Sequence, residues 1–227
     1  MLASLGTAGA DLIEVGIPFS DPIADGPVIQ RASQVALGNG TTVARTLELI
    51  RQAHPPVPVV AFSYLNPLLA YGLERFAAEA AASGVSAVLV TDLPAGEDPL
   101  VEAALRGAGL DLIRLVAPTS TDTRLRSALE GAEGFVDLIA RLGVTGPRTE
   151  VGGDLSSLIH RVRAVTPLPI AVGFGIGTAA QARMLGQLAD GVGVGTALVE
   201  RLGQGLEAAQ ELLAELREAL ASAAAIR

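Results

Sequence analysis

The apolar positions of this chain fall in short runs separated by longer amphipathic stretches. Seven runs are near-continuously apolar and bounded by Gly, Pro or Asp: 11–15, 58–62, 87–91, 112–116, 135–139, 170–172 and 191–194. Continuous rather than alternating hydrophobicity over a few residues is what a strand covered on both faces requires, as in a parallel sheet. Between the runs, apolar residues recur at helical spacing over 42–53, 73–83, 123–130, 155–165 and 179–188, with Asp122, Asp154 and Thr178 as expected N-caps. Residues 206–225 read as one long Ala- and Leu-rich amphipathic helix, and 1–10 as the tail of another.

Strands alternating with helices predict a parallel sheet with right-handed crossovers. A doubly wound open sheet competes with a closed barrel, and seven β units are one short of the eight a (β/α)₈ barrel needs. The expected fold is an α/β TIM barrel lacking its first strand. No linker, charge block or low-complexity segment divides the chain, so residues 1–227 are expected to form a single barrel domain, incomplete at the N-terminus.

Composition then narrows the chemistry. Half of the 227 residues are apolar, enough for a sizeable core, yet no apolar run approaches the roughly 20 residues that span a bilayer. No export-signal pattern opens the chain, and the expectation is a soluble cytoplasmic protein without membrane contact. Cysteine is absent, which excludes a disulfide scaffold, a thiolate nucleophile and a thiolate metal site. Lysine is absent too, all 16 basic residues being arginine. A Schiff-base aldolase, a lysine-anchored pyridoxal enzyme and a P-loop each need that amine. Two histidines, His54 and His160, stand far apart in sequence, so no histidine-rich metal site is expected. The net charge of −8 without a basic stripe argues against nucleic acid. Carboxylates, hydroxyls and backbone amides remain to carry any chemistry.

The carboxylates stand out around the first strand. Glu14 lies inside an apolar run, where a charge is costly unless paired or used, and burial would raise its pKa toward the range of a general acid/base. The loop that follows is stiffened by Pro18, Pro22 and Gly26 and carries Asp21 and Asp25. In a parallel barrel this loop belongs to the catalytic face. A salt-bridged Glu14 and solvated turn carboxylates fit the same spacing, and the residues alone leave both readings open. Further on, Gly173–Gly177 runs into Thr178 and Gly193–Thr196 into a helical turn, where the last two strands of a barrel should end. Without lysine, a phosphate must be held by backbone N–H groups at such turns. Residues 141–149 form a third loop rich in Gly and hydroxyls.

Taken together, these segments resemble the tryptophan synthase α subunit family. The resemblance rests on the block from Gly9 to Ala36, with Glu14, Pro18-Phe-Ser-Asp-Pro22, Ala24-Asp-Gly-Pro27 and Ile29-Gln30. It continues through Tyr64-Leu-Asn-Pro67, Thr91-Asp-Leu-Pro94, Ala117-Pro-Thr-Ser-Thr121, Gly143-Val-Thr-Gly146, Gly173-Phe-Gly-Ile176 and Gly195-Thr-Ala-Leu198, covering essentially the whole chain. It implies a lyase of tryptophan biosynthesis that cleaves indole-3-glycerol phosphate to indole and glyceraldehyde 3-phosphate without Schiff base or metal. Glu14 would shuttle protons between the glycerol hydroxyl and ring carbon C3, and Asp25 would accept the indole N–H and stabilise the cationic ring. Gly146, Phe174, Gly175, Gly195 and Thr196 would hold the phosphate. Thr145 would lie in a lid over residues 141–149, and Ile29, Tyr64 and Asp137 would line the substrate and lid side. The implied partner is a β subunit in an α2β2 assembly, with pyridoxal phosphate on the β partner only and no cofactor here.

The chain departs from the family pattern in three places. The helix and strand that usually precede Met1 are missing, which predicts exposed strand edges and apolar faces. Asp137 stands where a tyrosine is usual, adding a carboxylate near Glu14 or turning away toward Arg114. Ala140 replaces a frequent serine. Two rival readings are an inactive α-like chain that only activates a β partner, and another phosphate-binding barrel enzyme. The paired Glu14 and Asp25 around a proline-rich loop weigh against the second.

Overall fold

Each strand of the protein pairs parallel with the next. In the computed structural model, which describes residues 1–139, 150–173 and 175–224, the strands are β1 (Ile13–Gly16), β2 (Val59–Ser63), β3 (Val85–Val90), β4 (Asp111–Leu112), β5 (Arg114–Val116), β6 (Val136–Ile139), β7 (Ile170–Gly173) and β8 (Gly191–Val192). They form two ladders, β1-β2-β3-β4 and β5-β6-β7-β8. β4 and β5 are two halves of one strand position, parted only at Ile113, whose N–H still donates to the Val88 carbonyl at 3.0 Å. The seven β units read from the sequence are therefore all present, curved into one sheet in chain order, as in a TIM barrel without its first strand.

Helices α1 (Leu2–Thr7), α2 (Pro27–Gly38), α3 (Val43–Ala53), α4 (Leu65–Tyr71), α5 (Leu73–Ala82), α6 (Pro99–Gly107), α7 (Asp122–Leu129), α8 (Glu150–Arg163), α9 (Ala179–Gly186), α10 (Thr196–Gln204) and α11 (Leu206–Ala224) make the crossovers and the outer layer. Each strand's alternation divides it between two apolar environments. Val59, Ala61, Val88 and Leu112 pack outward with Leu47, Ile50, Phe76 and Leu105 of α3, α5 and α6. Val116, Val136, Leu138, Ile170 and Val172 pack outward with Leu125, Leu158 and Leu185 of α7, α8 and α9. Val60, Ala87, Leu89 and Ile113 turn inward and gather Phe62, Leu115 and Phe135 into the interior core. Both faces are apolar, which is why the sequence runs lack alternation.

Among the described residues no ladder joins β8 to β1, so a seam runs between these two edges. The expected exposure of apolar faces there is only partly realised. Leu5, Ile13 and Ala209 are buried with Leu198, Leu202 and Leu213 packed around them, so α1, α10 and α11 cover the outward face of β1. Asp11 and Arg217 form an ion pair on the same side. Over the seam α2 packs against α10, although neither helix buries a residue fully.

Local chemistry corrects two of the three expected helix caps. Thr121, not Asp122, caps α7 by accepting from the Arg124 N–H, and Asp122 follows inside the helix, where it pairs with Arg161 at 2.7 Å. Asp154 lies within α8 rather than at its start. Thr178 does cap α9, in a reciprocal capping box with Gln181. The pattern passed over α2, α4 and α6, each of which starts next to a proline or a strand end; α6 is capped by Asp98 with Pro99 at its first turn.

Candidate active site

Strand alternation decides where the two inner carboxylates point. Ile13 and Val15 face the helices, so Glu14 between them faces the interior, in register with Val60 of β2. Val136 and Leu138 likewise belong to the outer core, so Asp137 faces inward, between Leu115 and Ala171. Arg114 lies on the opposite face, buried, 2.7 Å from Glu102 of α6. Asp137 is therefore not paired with Arg114. Its residue is 6% exposed, and a Cβ built on Gly173 would stand 3.2 Å from its Oδ1, so the carboxyl leans toward the C-terminal ends of the strands.

These positions shape the acidities. Glu14 keeps exposed surface, but the protein around it withdraws enough water to raise its pKa. Burial and the neighbouring charge of Glu14 push Asp137 up to about 7. Asp25, half-buried above the strands, is raised by burial, while its hydrogen bond from Tyr64 acts the other way.

The loop after β1 is held from β2. Tyr64, buried at the end of that strand, donates from its hydroxyl to Asp25 Oδ2 at 3.2 Å and accepts the Ala24 N–H at 2.9 Å. Its ring leans on Phe19, with centroids 5.5 Å apart. Gln30, in the first turns of α2, donates to the Asp25 carbonyl at 2.9 Å. Asp92 anchors the next loop by accepting the Leu65 N–H at 2.7 Å. The sequence reading gave neither Gln30 nor Asp92 a role, although both lie inside the quoted motifs. Ile29 lies partly buried beside Gln30 on α2, whereas Asn66 is exposed on α4 and joins no part of this network.

The two glycine turns lie side by side. A Cβ on Gly177 would stand 3.0 Å from Ala197 Cβ in α10, and one on Gly193 3.4 Å from Gly173 Cα. Gly175 has φ +80° and open space around its Cα. Gly195 is the N-cap of α10 with no side-chain cap, leaving the N–H groups of Thr196 and its successors facing outward at a positive helix end. Both Gly195 and Thr196 are exposed. Gly146, Thr145 and Phe174, together with Ala140, lie outside the described residues.

Three features thus belong to one end of the sheet: inward carboxyl side chains in an apolar interior, a tethered Asp25 at the rim, and two neighbouring glycine turns. Among the described residues no cluster of three or more His, Cys, Asp or Glu could hold a metal ion, and no helix is long and apolar enough to cross a membrane.

Comparison with known proteins finds relatives over nearly the whole chain. The family model described as "Tryptophan synthase alpha chain" matches residues 1–226. The tryptophan synthase alpha chain of Acidiphilium cryptum is 50% identical over 211 residues, 92% of this chain and 76% of the relative. That of a Picosynechococcus species is 43% identical over 228 residues, 97% of this chain and 86% of the relative. Among solved structures, tryptophan synthase from M. tuberculosis in its aminoacrylate-bound form superposes with a TM-score of 0.87 at 38% identity, covering 96% of this chain and 85% of that one. The alpha subunit from Legionella pneumophila gives 0.87 at 33% identity, with 96% and 85% covered. With its fold, its paired motifs and these relatives in agreement, the chain belongs to the tryptophan synthase α chain family, lyases of the α reaction.

Proposed function

We propose that this chain cleaves indole-3-glycerol phosphate to indole and glyceraldehyde 3-phosphate, as the α partner of a tryptophan synthase β subunit in an α2β2 assembly. The observation that carries the reading is the Tyr64–Asp25 bond, which holds one carboxylate at the rim above an interior that contains a second, Glu14. In this reading the indole ring enters the apolar interior formed by Val60, Phe62, Leu89, Ile113 and Leu115. Its phosphate rests on the N–H groups around Gly175, Gly195 and Thr196, with Gly146 and Phe174 alongside and Thr145 in the lid. The Glu14 carboxyl gives its proton to ring carbon C3, and Asp25 holds the ring N–H and balances the positive charge. The Glu14 carboxylate then takes the glycerol hydroxyl proton as the C–C bond breaks. The bond's electrons return to the ring, the hydroxyl carbon leaves as an aldehyde, and Glu14 is restored. The raised pKa values of the two carboxyls suit this exchange, since a general acid/base works best near the ambient pH.

No cofactor is needed in this scheme; pyridoxal phosphate belongs to the proposed β partner. The test is indole release from indole-3-glycerol phosphate by the purified chain, with and without added β subunit. Release that rises with the β subunit is the expected result. If β-subunit turnover is stimulated and no indole forms, the chain only activates its partner.

A further inference from the structure

The proposed cleavage uses one inward carboxyl, but the interior contains two. Asp137 is almost fully buried, and among the described residues no hydrogen bond or salt bridge reaches its carboxyl. A buried carboxylate without a partner is costly unless it stays protonated or is used. Among the described residues its surroundings offer no cation. The strands on either side present Leu115 and Ala171, and Arg114 is committed to Glu102 on the far face. β2 and β3 turn Val60, Phe62, Ala87 and Leu89 inward, while β7 and β8 contribute Gly173, Gly191 and Gly193. Asp111 is exposed at the opposite end of the sheet, and Asp25 and Tyr64 sit at the rim. Among the described residues Glu14 is the charged group left to act on Asp137, and the space over Gly173 lets the carboxyl lean up into the reacting end.

We propose that Asp137 is a positioning residue for the cleavage, forming with Glu14, which faces the same interior, a charge-coupled carboxyl pair that retains one proton. The inference rests on the lyase reading of the site. Facing one interior of low dielectric, the two groups cannot both ionise cheaply, so they titrate as a pair with two separated steps. The rise of Asp137 to about 7 through burial and the charge of Glu14 agrees with this. The retained proton keeps Glu14 able to give a proton to ring carbon C3 and to take one back from the hydroxyl near neutral pH.

The test is the pH dependence of kcat/KM for indole-3-glycerol phosphate in the wild-type chain and in Asp137→Asn, with β subunit present. Asparagine keeps the shape and removes the second charge. The limb governed by the pair should move to lower pH by about one unit, because Glu14 then titrates without a like charge beside it. An unchanged profile in an active Asp137→Asn overturns the pairing. A second measurement needs no activity: carboxyl ¹³C NMR titration of the wild type, Asp137→Asn and Glu14→Gln. In each variant the upper titration step should vanish and the remaining carboxyl should titrate once, at lower pH; midpoints indifferent to removal of the other group overturn the proposal. If the wild type itself releases no indole, the lyase reading fails while the titration still decides the pair.

Discussion

One phenol serves two residues of the loop that follows β1: the Tyr64 hydroxyl accepts the N–H of Ala24 at 2.9 Å and donates to Asp25 Oδ2 at 3.2 Å. The aspartate is thereby set relative to β2, a central strand, rather than by the exposed loop that carries it. Tyr64→Phe keeps the ring against Phe19 and removes both bonds. It is expected to cost on the order of 1–3 kcal/mol in chemical denaturation. The bond from Tyr64 lowers the Asp25 pKa against burial, so its loss should raise that pKa further and move the acid limb of kcat/KM upward. An unchanged acid limb would show that Asp25 is held by other contacts.

Glu14→Gln should separate binding from chemistry. The amide fills the same interior position and carries no proton to exchange. Cleavage should fall by about 10²–10⁴-fold, while an indole-type phosphate ligand, measured calorimetrically, binds within a few-fold of the wild type.

Asp137 makes stability depend on pH in an unusual direction for a carboxylate. Its folded pKa of about 7 lies above the ordinary value of 3.8. The folded chain therefore keeps a proton that the unfolded chain has released. The contribution is fully present below about pH 4 and is lost as pH rises toward 7, on the order of 2–4 kcal/mol across that window. Asp137→Asn should melt at a higher temperature than the wild type at pH 8, with the gap shrinking toward pH 4.5. Equal gaps at both pH values would place the proton elsewhere.

Gly177 touches the start of α10, and a methyl group there would meet Ala197 Cβ at 3.0 Å. Gly177→Ala should push the two glycine turns apart by a few tenths of an ångström. It should then raise KM for the phosphorylated substrate by up to about tenfold with little change in kcat. Gly203→Ala, in the same helix but facing open space, is the control and should leave KM in place while gaining about 0.5–1 kcal/mol in stability.

Much of this architecture was legible because strands covered on both faces betray themselves by continuous hydrophobicity. The same continuity hid which face each residue takes. Phe135, Val136, Asp137, Leu138 and Ile139 give no internal clue to the orientation of Asp137; only the packing of Val136 and Leu138 against α7 and α8 settles it. α2 escaped the pattern because its apolar residues are nowhere fully buried, so no stripe marks a core side. The Thr121 cap was read one residue late, since Thr121 and Asp122 are both good caps and only the backbone geometry distinguishes them. Glu14, Asp25, Tyr64 and the two glycine turns were legible as candidates, and their convergence at one end of the sheet follows from chain-order pairing of parallel strands. Gln30 and Asp92 act through backbone bonds that no side-chain pattern announces.

The seam between β8 and β1 sets a rule of direction for anything that fills it. Both bordering strands run the same way, so a segment lying between them must run parallel to each, and parallel neighbours are reached by a crossover rather than a hairpin. A two-fold pairing of β1 with β1 leaves both β8 edges open. Pairing β1 of one copy with β8 of the next respects direction, and such head-to-tail contacts close into a ring where the rotation between copies allows and otherwise grow into filaments. The cover that α1, α10 and α11 lay over Ile13 hides the outward face of β1 and leaves its edge to this rule of direction.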